Sequence, residues 1–315
     1  MSGLSLSSLS LLGRVAGNRS SPKVAVVLVV LSVSVMAVSE AVFKHLVQDY
    51  HAVQLMWCRY VFFLVPILLF VGRRWLFFLQ TSRLSLQVGR ALLAFAGGLL
   101  LVIGLKYVSL AETTAIVFAY PLFVIVLSVP LIGERLYRCQ VIAVAFGFLG
   151  VVVMMRPGGE AMQWAALLPL SSAVLAALFQ ITTKMLTASD RPLSTLLYTG
   201  IVGVAVATLP LPLVWQTPRI DDWLPMASLG LCYAIASYLW IRALEMAMAS
   251  TLAPFIYSKI VAATALGLFV FGEVPDLPTF IGATLIIGSG LYAFHGVNAD
   301  PGYSKAEDLS LSRHR

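Results

Sequence analysis

Apolar runs of about twenty residues alternate with short polar turns along almost the whole chain. The runs are Val24–Val47, Val53–Val71, Leu86–Tyr107, Thr113–Ile132 and Val141–Met155, then Trp164–Thr183, Leu193–Trp215, Leu224–Ile241, Thr251–Phe271 and Phe280–His295. Turns between them carry residues that stop helices, as in Arg156-Pro157-Gly158-Gly159 and Gln216-Thr217-Pro218. About 20 residues of helix cross a hydrocarbon core about 30 Å thick. In lipid each backbone N–H and C=O must be paired inside its own segment, so each run predicts a helix. The pattern therefore predicts an all-α membrane protein with ten transmembrane helices.

Composition agrees with that pattern. Of 315 residues, 60% are hydrophobic and 11% charged, where a soluble domain carries about a quarter charged residues. A soluble core of this size cannot bury that much apolar surface, so lipid is the solvent for most of the chain. The net charge of +7 at pH 7 does not point to nucleic acid, because no run of Lys and Arg forms a binding stripe. The basic residues lie in loops and tails. Numbered alternately from a cytoplasmic N-terminus, one set of loops and tails holds Arg14, Arg19, Lys23, Arg73, Arg74, Arg83, Arg90, Arg135, Arg138, Lys184, Arg191, Arg242, Lys305, Arg313 and Arg315. The other set holds Lys106, Arg156 and Arg219, joined by Lys44 if its side chain reaches the headgroups. Positive loops stay inside, so both termini are expected in the cytoplasm. Residues 1–23 read as a cytoplasmic tail, since the apolar run after them is longer than the about 7–15 residues of a signal-peptide core. Residues 297–315 read as a second polar tail. Cys58, Cys139 and Cys232 stand far apart beside apolar runs and suit small buried roles.

The chain also repeats itself. Gly133-Glu134 recurs as Gly272-Glu273, and at that offset Glu112–Glu134 lies over Thr251–Glu273. QVIAVAFGFLGVVV then lies over TFIGATLIIGSGLY, and GLKYVSLAE over ALEMAMAST. Near the starts of the halves, Glu40-x-x-x-Lys44 matches Gln180-x-x-x-Lys184 with a shift of one more residue. The expected units are 24–156 and 163–296, each with five spans. Five is odd, so the second unit is inverted relative to the first, an arrangement characteristic of carriers that open alternately to the two sides.

Five-plus-five spans, an apolar helix ending in Gly-Glu in each half, and fifth and tenth spans rich in small residues resemble the EamA-type branch of the drug/metabolite transporter superfamily. The resemblance covers about Val24 to Gly296. It implies a ten-helix fold around a central cavity and movement of small metabolites: amino acids, nucleotide-like cofactors, vitamins or drugs. Lys259, which faces Tyr120 in the repeat alignment, is a departure from that pattern and marks a candidate substrate subgroup.

Charges inside the membrane are functional candidates by default. Lys259 lies about 12 Å along its span at 1.5 Å per residue, close to the midplane. Tyr257 and Ser258 flank it with hydroxyls, and Pro254 removes a backbone hydrogen bond one turn earlier. Its repeat counterpart, Tyr120-Pro121, is also mid-span. Irregular backbone at corresponding midplane positions of two halves is a strong pointer to a transporter site. Arg59 lies about 9 Å below the outer start of its span, and its planar fork suits a carboxylate or phosphate. It has three candidate roles: substrate contact, a lock onto Glu40, or snorkelling outward. Glu40 and Lys44 share a helix face. Glu40 is a candidate partner for Arg59 or Lys259 and a candidate protonatable group; the alternative is a local pair with Lys44 at the interface. Gln180 keeps a polar group in the inverted copy. Glu134 and Glu273 end their helices against the helix dipole, so each needs a cationic or N–H partner; with Lys44 and Gln180 they read as structural residues or as gate elements, the two glutamates on opposite faces. Trp57, Tyr120, Tyr238, Trp240 and Tyr257 are candidate aromatic walls, Trp240 being the better membrane anchor. Gly97, Gly98, Gly147, Gly150, Gly282, Gly288 and Gly290 suit close helix contact.

The candidate interior holds Lys259 and Arg59 against Glu40, an excess of positive charge. The expected function is secondary transport of a small anionic or zwitterionic, amino-acid-like metabolite across the cytoplasmic membrane, with export a candidate direction. The alternative is uptake of a cofactor-like solute such as S-adenosylmethionine or riboflavin. No cofactor and no metal is called for, since His45, His51, His295 and His314 show no metal spacing and no HExxH or GxSxG motif occurs. A membrane-embedded enzyme is disfavoured on that ground. A channel is disfavoured because the mid-span polar residues of the halves differ, Tyr120 against Lys259. The expected partners are a small-molecule substrate, the lipid bilayer and a second copy of the chain in a homodimer, with no nucleic acid.

Overall fold

The computed structural model describes residues 22–72, 75–132, 138–155, 164–187, 190–246, 252 and 255–298. Among these residues the regular structure is entirely helical. The longer helices are α1 (Pro22–Leu46), α2 (Ala52–Val71), α3 (Leu84–Tyr107), α4 (Leu110–Val117), α5 (Tyr120–Ile132), α6 (Arg138–Met155), α7 (Leu167–Thr187), α8 (Pro192–Thr208), α9 (Trp223–Met246), α10 (Ser258–Phe271) and α11 (Leu277–Asn298). Six stretches are long and apolar enough to cross a membrane: Lys23–Leu46, Ala52–Leu69, Leu84–Tyr107, Leu110–Leu131, Trp164–Leu186 and Ile220–Ala243. Gln140–Met154, Leu193–Thr208, Ser258–Phe271 and Leu277–Tyr292 are shorter apolar helices.

Large apolar side chains face outward along these helices. Val141, Ile142, Phe146, Leu149 and Val152 are all exposed down one face of α6, and Phe269 and Val270 near the end of α10. In water such a band would be an aggregation surface; in a bilayer it is the contact with acyl chains.

Two expected spans differ from unbroken helices. The fourth starts earlier than its apolar pattern, at Leu110, because Ser109 caps it by accepting a hydrogen bond from the Glu112 N–H at 3.2 Å. It then breaks at Phe118-Ala119 before resuming at Tyr120. The ninth breaks at Tyr257 before α10 begins at Ser258. In the repeat alignment Phe118 faces Tyr257, so the breaks occupy corresponding places. Pro254 lies outside the described residues. The seventh span is also shorter than expected: α8 ends at Thr208, and a separate turn, Leu211–Val214, follows Pro210.

Packing joins elements distant in sequence. α1 packs on α9 and α10, α2 on α8 and α9, α3 on α7 and α8, α4 on α10, α5 on α7, and α6 on α11. The α6–α11 contact is close because Gly150 and Gly282 face each other. A Cβ on Gly150 would lie 2.8 Å from the Gly282 carbonyl oxygen, and one on Gly282 would lie 2.7 Å from the Gly150 carbonyl oxygen. One core cluster holds Phe43, Leu46, Leu55, Met56, Tyr60, Phe95 and Leu105; a second holds Ile116, Phe118, Leu122, Met154, Ile260 and Ile286.

Candidate functional site

The two helix breaks bring aromatic rings together in the interior. The Phe118 ring lies 5.6 Å from that of Tyr257 and 6.2 Å from that of Tyr120. Gly290 of α11 leaves the room that the Tyr257 phenol occupies. The Tyr120 phenol lies close to Gln180 of α7. A turn in place of helix frees backbone groups from the α-helical ladder, which is tolerated at membrane depth only where protein or water can satisfy them.

Lys259, the second residue of α10, ion-pairs with Glu40 of α1 at 2.5 Å (Nζ to Oε1), with both side chains only about a tenth exposed (11% and 10%). The other carboxylate oxygen of Glu40 accepts a hydrogen bond from the Thr114 hydroxyl of α4 at 3.3 Å. The Lys259 ammonium sits 5.7 Å from the centre of the Phe118 ring. Three helices and a break therefore meet at one ion pair. Of the partners the sequence allowed Glu40, the structure selects Lys259; Arg59 and Lys44 are not bonded to it.

Lys44 differs from its expected place. It does not reach headgroups but is buried, pairing with Glu273 at 2.7 Å. Its ammonium also donates to the carbonyls of Val108 at 2.8 Å and Leu105 at 3.4 Å, at the end of α3. These carbonyls are free because a helix leaves its last acceptors unpaired. Glu273 accepts from the Leu110 N–H, the first of α4, at 3.0 Å, where a carboxylate complements the positive helix end. Gly272 makes this possible: at φ 66° it turns the chain off α10, and the Glu273 N–H closes on the Gly267 carbonyl at 2.9 Å. Thus Glu273 finds both a cation and an N–H partner. Glu134, its repeat counterpart, lies outside the described residues.

Arg59 of α2 is half-buried between α1, α3 and α9. Its guanidinium lies over the Tyr233 ring at 4.1 Å and the Phe43 ring at 5.6 Å. Its Nε is enclosed and has no hydrogen-bond partner. The charge count puts Arg90 with the cytoplasmic loops; in the structure it lies in the second turn of α3 and is 5% exposed. Its Nε donates to the Thr183 hydroxyl at 2.7 Å; Nη1 donates to the Thr199 hydroxyl at 2.8 Å and the Thr195 carbonyl at 3.3 Å. Its guanidinium lies 4.4 Å from the centre of the Phe179 ring. The sequence signal was available: Arg90 is followed along one helical face by Ala94, Gly97 and Gly98, residues that admit a close neighbour.

Loops close both ends of this interior. Asp190, between α7 and α8, accepts from the Thr81 hydroxyl at 2.5 Å and Gln87 Nε2 at 2.7 Å. Burial pushes its carboxyl up, but hydrogen bonds from Thr81, Gln87 and Ser82 outweigh that and hold it below its ordinary value. At the opposite end Tyr50 donates to Asp222 Oδ2 at 2.6 Å and accepts from the Arg219 N–H at 3.1 Å. The bond to Asp222 raises the phenol's pKa.

Other aromatic candidates are outside the interior. Trp57 donates to the Thr208 hydroxyl at 3.0 Å and meets Trp215 edge-on. Tyr238 is 62% exposed, and Trp240 packs against the cluster of Ala25, Val29 and Val33 at the start of α1. Cys58 is buried and Cys232 half-buried. Among the described residues no group of His, Cys, Asp or Glu is arranged to hold a metal ion.

Comparison with known proteins gives a consistent set of matches. The model of the EamA-like transporter family matches residues 23–156 and again residues 163–294. The chain is 28% identical over 269 residues to the S-adenosylmethionine uptake transporter of Rickettsia prowazekii (strain Madrid E), covering 84% of this chain and 90% of that one. It is 27% identical over 226 residues to a riboflavin transporter of Brucella anthropi, covering 68% and 78%. A solved structure described only as a crystal structure of a protein aligns with a TM-score of 0.60 at 19% identity, covering 88% of this chain and 97% of that chain. The last match speaks to fold alone.

Proposed function

From a chain that belongs to the EamA-like transporter family, and is therefore a multi-pass membrane transporter of a small solute, we propose a secondary carrier that moves an anionic or zwitterionic metabolite across the cytoplasmic membrane by alternating access. The units would be two inverted five-helix repeats, 24–156 and 163–296, with tails 1–23 and 297–315 in the cytoplasm. The packing list supports this reading. Exchanging α1 with α7, α2 with α8, α3 with α9, α4 and α5 with α10, and α6 with α11 turns α1–α9 into α7–α3, α2–α9 into α8–α3, and α1–α10 into α7–α5, all of which occur. The α2–α8, α4–α10 and α6–α11 contacts map onto themselves. The double match of the family model supports the same division.

The observation that carries the substrate reading is the Glu40–Lys259 pair beside the two helix breaks. In the empty carrier each charge neutralises the other. A zwitterion replaces both halves of that pair: its carboxylate takes Lys259 and its cationic group takes Glu40. Tyr257 and Tyr120 line the approach, and Arg59 keeps a donor to spare. Lys44 and Glu273 form the outer gate. On the repeat, Lys184 and Glu134 correspond to them and belong to the opposite gate, with Gln180 facing the path. The relatives' names favour a second reading of the cargo, uptake of a cofactor-like solute. S-adenosylmethionine carries an amino-acid zwitterion and fits the same two charges; riboflavin, which has neither, does not.

Purified protein in proteoliposomes tests this. Uptake of S-adenosylmethionine and of neutral zwitterionic amino acids should fall by about a hundredfold in Lys259→Ala, the cost of a charged pair lost from a buried site. Wild-type transport of such solutes that Lys259→Ala leaves intact would remove the pair from the site.

A further inference from the structure

The search for charge that the Glu40–Lys259 pair does not explain leads to Arg59 and Arg90. Among the described residues neither forms a salt bridge with a carboxylate. Glu40 is taken by Lys259 and Thr114, Glu273 by Lys44 and Leu110, Asp190 by Thr81 and Gln87, and Asp222 by Tyr50, while Glu112 is buried in α4. Arg59 makes no hydrogen bond to the described protein at all; two rings hold it by its flat faces. That mode of holding fixes the plane of the guanidinium and leaves the N–H edge unspent. The edge is the part that grips a carboxylate or phosphate in two parallel bonds. Arg90 is more deeply buried and bonded only to hydroxyls and a carbonyl, so its charge is equally uncompensated.

The two guanidiniums belong to one column. Tyr60 is within electrostatic reach of both, and Tyr233, which Arg59 stacks on, is within reach of Arg90. Arg59 Nη1 approaches α3 at Gly98, eight residues beyond Arg90 on the same helix, so the stations are separated by about 12 Å along α3 at 1.5 Å per residue. Ring faces and hydroxyls offset part of the burial cost of these two fixed positive charges, and an anion would offset the rest.

We propose that Arg59 and Arg90 are two successive binding stations for the anionic group of the solute, a carboxylate or phosphate, on its way through the carrier. Arg59 takes the anion first from the outer side, or last on export; Arg90 takes it on the inner side. The idea rests on the carrier reading above and goes beyond it in naming a second place for the anion, apart from Lys259. It also separates candidate cargoes: a solute with no anionic group has no use for either station.

The test uses full-length protein in nanodiscs, with thermal unfolding followed at fixed ionic strength while chloride is replaced by phosphate and, separately, by acetate. The anion that fits should raise the wild-type midpoint above its value in chloride, with a concentration dependence that gives an apparent affinity. Arg59→Gln should weaken that affinity by about ten- to a hundredfold, the ratio a charged hydrogen bond is worth. Arg59→Lys, which keeps charge but loses the fork, should recover only part of it, and Arg90→Gln should weaken it less than Arg59→Gln. A wild-type midpoint indifferent to both anions, or an affinity unchanged in Arg59→Gln and Arg90→Gln, overturns the proposal. Flux of S-adenosylmethionine in proteoliposomes separates the two readings. Transport without arginine-dependent anion stabilisation removes the stations and leaves the carrier; the reverse removes the carrier and leaves the stations.

Discussion

The cluster around Lys44 and the interior around Arg59 hold their charge in opposite ways. Lys44 meets one carboxylate and two helix-end carbonyls, while both oxygens of Glu273 are engaged. Arg59, a stronger and permanent cation, has aromatic faces and no acceptor. A satisfied charge fixes geometry, because each bond would have to be exchanged for water before the parts could move. A charge held only by ring faces has no such bonds to exchange and fixes little. The Glu40–Lys259 pair stands between these extremes, closed on itself but assembled from three helices and one break.

The sharpest way to break this contrast is to remove half of the buried pair. Lys259→Met should lower unfolding stability by about 3–5 kcal/mol, since Glu40 is left without its cation. The double variant Glu40→Gln with Lys259→Met should recover most of that loss in the same denaturation assay. Next comes the Lys44 cluster. Lys44→Met should cost about 1–3 kcal/mol through the stranded acceptors, and a cysteine introduced at Thr114 should become more reactive to a membrane-impermeant maleimide added outside. Equal labelling before and after the substitution would show that Lys44 closes nothing. Tyr50→Phe should cost about 1 kcal/mol, the worth of its single strong bond to Asp222, visible as a small drop in thermal midpoint. Smallest of all is Arg59→Met, with an expected stability change within about 0.5 kcal/mol of zero or a slight gain, although transport falls. A large loss of stability in that variant would mean that Arg59 is a structural group, and the contrast would collapse.

Much of the interior was legible from the chain alone. Depth along a span marks Lys259 and Glu40, and the duplicated sequence points to irregular backbone around Tyr120 and Lys259, where the helices break at Phe118-Ala119 and Tyr257. Depth does not give rotation, however. The position of Lys44 near a span end leaves headgroups, a local pair with Glu40 and a structural or gate role all open, and only the fold turns its side chain toward the α3–α4 corner. Arg90 reads as a loop residue from the charge count, yet within α3 it faces α7 and α8 and is buried between them. The Lys44–Glu273 pair could not be read from local pattern at all. Its members are brought together by a left-handed turn at Gly272 and by the start of a helix more than a hundred residues earlier in the chain.

The short helix α4 carries a consequence of its own. Its first N–H is held by Glu273, and one turn further on Thr114 of the same helix holds Glu40. Eight residues of rod thus have one end clasped at the Lys44–Glu273 cluster and their middle resting on the Glu40–Lys259 ion pair. Anything that loosens the cluster tilts the rod, and the tilt is felt at Glu40 within about 6 Å of helix rise. News of an opening above can reach the charges below without passing through the rest of the molecule.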